Sequence, residues 1–179
     1  MQQNSESRTR RRVIDAFNQL VFDKAPTPIR VGQIVRKAGV GRSTFYDHFS
    51  SAEAVHMAAL SRPLAYLADP TTGTGEAEQL RWLLDHFWAN RSRARETLAG
   101  PSRDRITRLL ADMISERVHF DGSAGIPRRL AVMQLAEAML TPIRLWILGE
   151  AAASPAALAR CLFDTAAAMR TTLGLHAKT

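Results

Sequence analysis

The sequence predicts an all-α protein of about nine helices, with an N-terminal three-helix head followed by a helical bundle. Two observations carry this. Apolar residues recur at three- and four-residue spacing along most of the chain, and strand signals are almost absent. Pro and Gly then cut the chain into helix-sized pieces.

The first helix is read over residues 8–24, where Val13, Ala16, Phe17, Leu20 and Val21 share a face, and the prolines of 25–28 end it. Residues 31–38, VGQIVRKA, make a short second helix with Val31, Ile34, Val35 and Ala38 apolar, and Gly39 follows as a turn residue. A third short helix runs from about 42 to 48, and a fourth from 51 to 68, bent near Pro63. Residues 76–92 carry Leu80, Leu83, Leu84, Phe87 and Trp88 on one broad face, and a helical turn fills 93–98. Residues 101–120 open on Pro101 and show a stripe from Ile106 to Val118. A loop at 121–125 leads to a long helix from Pro127 to about 149. Ser154-Pro155 then caps a last helix to about 173. The expected division places the head at 1–50, with a basic arm at 1–12, and the second domain at 51–179.

The bulk numbers narrow the function. At 46% hydrophobic and 23% charged, the 179 residues suit an ordinary soluble globular protein. No apolar run near 20 residues is free of charges, so a membrane span is not expected, and MQQNSESRTRRR is not a secretory signal. The lone Cys161 excludes an internal disulfide and fits a reducing cytoplasm. The net charge of +7 is uneven: residues 1–50 hold nine Lys/Arg against four Asp/Glu, or +5, which leaves +2 for the rest. A basic first quarter points to a polyanion such as nucleic acid.

The stretch GRSTFYDHFSSAEAV at 41–55 sharpens this. Phe45 and Phe49, four apart, and Val40 can pack back on Ile34, Val35 and the first helix. Ser43, Thr44, Tyr46 and Asp47 are then left facing outward, with Arg42 at the exposed first turn. This is a helix-turn-helix pattern, whose second helix enters the major groove and reads base edges with its N-terminal residues. Arg42 can fork onto guanine and Thr44 offers a hydroxyl and a methyl. Tyr46 and His48 suit phosphates, which set register without reading sequence.

Residues 13–60 resemble the DNA-binding domain of the TetR family of bacterial transcriptional regulators. The family's run of helix, turn and recognition helix matches Ile34-Val35-Arg36-Lys37-Ala38-Gly39-Val40 and then Thr44-Phe45-Tyr46-Asp47-His48-Phe49. The resemblance implies DNA contacts at Arg30, Gln33, Arg42, Ser43, Thr44, Tyr46 and His48. Three positions depart from the family. Arg30 stands where a capping Thr is usual, Gly41 where a Ser opens the recognition helix, and Ala52 where a Lys grips phosphate. The arm Arg8, Arg10, Arg11 and Arg12 can make up the lost contact by reaching phosphate or the minor groove.

A seven-residue helix reads few base pairs, so a second copy one helical turn away is expected on a palindromic double-stranded DNA operator. Residues 130–148 are apolar almost all round, which predicts burial on more than one side. The last helix carries small residues that permit close approach. A homodimer interface is therefore expected through Leu140, Trp146, Leu158, Leu162 and Ala167, and the resemblance implies the same two helices, joined as a four-helix bundle. It also implies a repressor released by a small-molecule effector bound in the second domain. Trp82, His86, Phe87, Met113, Phe120, Met139 and Trp146 are the candidate lining. The alternative is a DNA-binding regulator with no small ligand, controlled by a protein partner or constitutive. A filled interior would favour it. No Ser-His-acid set, Gly-rich phosphate loop or metal-ligand cluster is read in the sequence. Enzymatic activity, a cofactor and a metal are accordingly not expected.

Overall fold

The computed structural model describes residues 2–23 and 28–178, with the backbone alone for residues 2–6 and 22. Residues 24–27, where the prolines ending the first helix begin, lie outside the described residues. The described residues form nine α-helices, one 3-10 turn and one two-stranded sheet. The chain divides into two compact units, Met1–Arg62 and Pro63–Thr179. The division falls inside the fourth helix rather than at 50/51.

The first unit holds α1 (Gln2–Phe22), α2 (Val31–Ala38), α3 (Arg42–His48) and the first part of α4 (Ala52–Ala68). Its core is the apolar stripe of α1, Val13, Ala16 and Phe17, closed by Ile34 and Ala38 of α2 and by Phe45, Phe49 and Val55. Val13, Ile34, Phe45 and Val55 are fully buried. α1 begins at Gln2, earlier than the expected residue 8, so Arg8, Arg10, Arg11 and Arg12 of the basic arm all lie within the helix.

The second unit continues α4 into a 3-10 turn, Asp69–Thr72. Then come α5 (Ala77–Ala89), α6 (Arg91–Ala99), α7 (Arg103–Arg117), β1 (Val118–Phe120), α8 (Arg128–Leu148), α9 (Pro155–Thr172) and β2 (Leu175–Ala177). The 3-10 turn is closed by the Thr71 hydroxyl on the Ala68 carbonyl at 2.6 Å and by Gly73 in the left-handed region at φ 78°. α8 packs on α6, α7 and α9, and α9 also packs on α5. By length and composition α8 could cross a bilayer, which the sequence reading did not expect, but 56% of its most apolar window is buried inside the unit. That is the position of a core helix.

The strands also correct the sequence reading, which ran one helix to 120. α7 stops at Arg117 because the next three residues pair antiparallel with β2, placing His119 opposite His176. The Asp121 amide donates to Gly174 O at 3.0 Å and the Lys178 amide to Arg117 O at 2.9 Å, so 119/176 is also a hydrogen-bonded pair.

Candidate nucleic-acid interface

The turn between α2 and α3 follows from two glycines. α2 ends in a Schellman arrangement: Val40 N–H donates to Val35 O at 3.1 Å and Gly39 N–H to Arg36 O at 3.4 Å, with Gly39 left-handed at φ 62°. Gly41, extended at φ −72° and ψ 159°, then opens α3, and its carbonyl accepts from Phe45 N at 3.0 Å. The reversal lets both helices turn an apolar face to α1.

On α3, Phe45 is buried and the rest of the helix faces away from it. Arg42, Ser43, Tyr46 and Asp47 are exposed, while Thr44 and His48 are half-buried. Tyr46 is 55% exposed, and its ring meets Phe45 edge-on at 5.3 Å. The anchor below therefore fixes the direction in which Tyr46 points. The Arg42 guanidinium lies over Gly32 in the first turn of α2, where a β-carbon would sit 3.7 Å from Nη2. Ser43, Thr44 and Tyr46 thus share one short helix with Arg42, as the sequence reading requires of them.

At the head of α2, Arg30 is exposed in extended backbone. A guanidinium has no acceptor, so it cannot cap the helix. The cap comes from Gln33, whose Oε1 accepts from the Arg30 backbone N–H at 2.8 Å. Gln33 keeps its amide NH₂ as a donor. The sequence held the signal for this, a Gln three residues into the helix, but an Arg at the cap position hides it. Ser51 Oγ accepts from Ala54 N at 3.1 Å and starts α4.

Sequence reasoning missed what two arginines of α1 do. Arg12 Nη2 donates to Ala38 O at 2.8 Å and to Gly39 O at 3.3 Å, while the Arg10 guanidinium stands 5.1 Å from the centroid of the Phe49 ring. Lys37 is paired with Asp23 at 3.0 Å. Arg30, Arg36 and Arg42 have no ion-pair partner among the described residues.

In the second unit the candidate ligand residues are spread over α5, α7, β1 and α8. Trp82 is 58% exposed on α5, stacked on His86 at 5.8 Å and edge-on to Tyr66 at 6.2 Å. Phe87, Met113 and Phe120 are half-buried on three different elements. Met139 and Trp146 are buried. Trp146 stacks on Trp88 at 4.8 Å and donates from Nε1 to Ala153 O at 2.9 Å. Two open grooves lie elsewhere. One, of about 630 Å³, runs along α9 by Ser154, Arg160, Cys161 and Asp164. The other, of about 350 Å³, lies between Glu78 and Arg81 of α5 and Arg160 and Phe163 of α9. Neither is lined by a candidate ligand residue.

Of the expected dimer residues, Leu140, Trp146, Leu158 and Leu162 are buried in their own unit. Ala167 is exposed. The exposed lines are Leu130, Gln134, Thr141 and Leu145 on α8, and Ala157, Cys161, Asp164 and Ala168 on α9.

No protein-family model matches the sequence. No curated protein matches it either. Solved structures do. A TetR transcriptional regulator from Streptococcus agalactiae 2603V is similar over 92% of this chain and 97% of its own, at 19% identity and a TM-score of 0.54. The fatty acid degradation regulator FadR from Bacillus halodurans is similar over 88% of this chain and 94% of its own, at 17% identity and a TM-score of 0.45. The first likeness shows that the chain has a TetR-like all-α fold.

Proposed function

We propose that this chain is a sequence-specific DNA-binding regulator of transcription that grips a palindromic duplex as a two-fold dimer. The reading rests on one observation: α3 is held by a buried Phe45 and offers Arg42, Ser43, Thr44 and Tyr46 outward, beside arginines that have no ion-pair partner among the described residues. Fold likeness to a TetR regulator supports it. A repressor is the simplest form of such a mechanism, since a dimer seated on its operator occludes the site.

Control of that binding has two readings. The first is release by a small molecule held in the second unit. The second is control by a protein partner, or none. Met139 and Trp146 are buried in the core, so a ligand that reaches them has to displace that packing, which supports the second reading.

The test is selection of duplexes from a random-sequence pool with the purified chain. Recovery of one motif repeated in inverted orientation about 10 base pairs centre to centre is expected. Recovery of no motif would sink the reading. A compound screen for release of the recovered duplex then separates the two modes of control.

A further inference from the structure

We infer that Arg12 is a positioning residue for the recognition helix and not a contact to the DNA backbone; this rests on the DNA-binding reading above. Val13, next to Arg12, is fully buried, so the α1 backbone at this point is anchored in the core. From there Arg12 reaches 26 residues along the chain to the Ala38 carbonyl and one further to that of Gly39. These are carbonyls at the end of α2, which lack intrahelical donors, and a cation is favoured at a helix C-terminus. Gly39 is also the left-handed residue of the turn, and a β-carbon there would sit only 3.3 Å from Arg12 Nη2. The guanidinium therefore clamps the residue at which the chain reverses between α2 and α3.

Arg10 acts at the other end of the same segment. Its guanidinium covers the ring of Phe49, the residue that closes α3. α1 thus holds the segment from the turn to the end of the recognition helix at both ends. A guanidinium aimed at protein carbonyls is not aimed at phosphate. Arg8 and Arg11, both exposed and without such contacts among the described residues, remain for the backbone of a duplex.

The experiment compares the full chain with Arg12→Gln and Arg12→Lys. The probes are the duplex recovered by the unmodified protein from a random pool and a random duplex of equal length. Arg12→Gln is expected to lower the ratio of the two affinities about tenfold, the scale of a lost charged hydrogen bond. Arg12→Lys, which keeps the charge near the carbonyls, should retain most of the ratio. The salt dependence should not change. A slope reduced by roughly 0.9 with the ratio intact would make Arg12 a phosphate contact and overturn the inference. A loss equal on both probes would reduce Arg12 to general stability and also overturn it.

A second measurement needs no DNA. Amide hydrogen exchange in Arg12→Gln should quicken from Gly39 to Phe45 while Val13 to Phe17 stays protected. Unchanged exchange in the turn overturns the inference. Quickened exchange in a chain that recovers no duplex would leave the clamp standing and remove the DNA reading instead.

Discussion

The Arg144 guanidinium donates from Nη1 to the Glu137 carboxylate at 2.8 Å, two helical turns back along α8. Arg144 is only 4% exposed, and its other two nitrogens also donate to the protein: Nε to Leu98 O at 2.9 Å, Nη2 to Thr107 Oγ1 at 2.7 Å. Thr107 also donates to Glu137 Oε1 at 3.0 Å, and Thr141 to Oε2 at 2.9 Å. One side chain thereby ties the end of α6 and the start of α7 to α8. Arg144→Ala should destabilise the second unit by about 1–3 kcal/mol, because Leu98 O and Thr107 Oγ1 lose a buried donor while the half-exposed Glu137 carboxylate keeps access to water. Urea unfolding of the full chain measures it. Arg144→Leu combined with Glu137→Leu should recover part of the loss, because no carboxylate is then left without its cation. A loss under about 1 kcal/mol for Arg144→Ala would show the network to be incidental.

The same network sets a pH dependence. Burial pushes the Glu137 carboxyl up, but the Thr141 hydroxyl, the Arg144 charge and the Thr107 hydroxyl outweigh it and hold the group below its ordinary value of 4.5. A folded value below the unfolded one stabilises the fold above about 4.5, and that stability is lost as pH falls through the lower folded value. Asp121 adds in the same direction, held down by the Ser123 hydroxyl and amide and then by His176. Chemical unfolding at a series of pH values from 7 to 3 should show an acid-limb decline that Glu137→Gln flattens. An unaltered acid limb would assign the decline to other carboxylates.

Base reading is tested at Arg42. Because it is exposed at the start of α3, Arg42→Ala should relax preference at one or two positions in each half-site, at about 1–3 kcal/mol for a bidentate pair. Repeating the duplex selection with the variant reads this directly. Weaker binding with an unaltered motif would move Arg42 to the phosphates.

Assembly is tested at Ala167, on the exposed face of α9. Ala167→Arg leaves the protomer's own core untouched, so the variant should stay folded. If α9 meets a partner there, the new charge is buried without a counter-charge and the dimer is lost. Sedimentation at micromolar concentration should find the unmodified chain at twice its 19.8 kDa mass and the variant near that mass. A monomeric unmodified chain that still binds one palindrome tightly would end the two-fold reading.

The head was legible from local signals. The four-residue spacing of Phe45 and Phe49, the paired glycines and the polar residues between them specify α2, turn and α3 within twenty residues. Periodicity also identified α8 as a helix buried on most sides. What it could not tell was which neighbour covers which side. Packing turned Leu140 and Trp146 into their own unit and left Leu130 and Leu145 outside. Arg144 passed unnoticed among apolar neighbours because its partners lie 37 and 46 residues away.

The chain-distant pairings share that cause. Arg12 meets Ala38 across 26 residues, His176 meets Asp121 across 55, and β1 exists only because β2 returns to pair with it. Side-chain spacing records which residues must leave water, since that preference belongs to each residue and to the pitch of its helix. The partner of a guanidinium or of a strand edge belongs to the path of the whole chain. It is settled only when distant segments compete to satisfy the same buried polar groups.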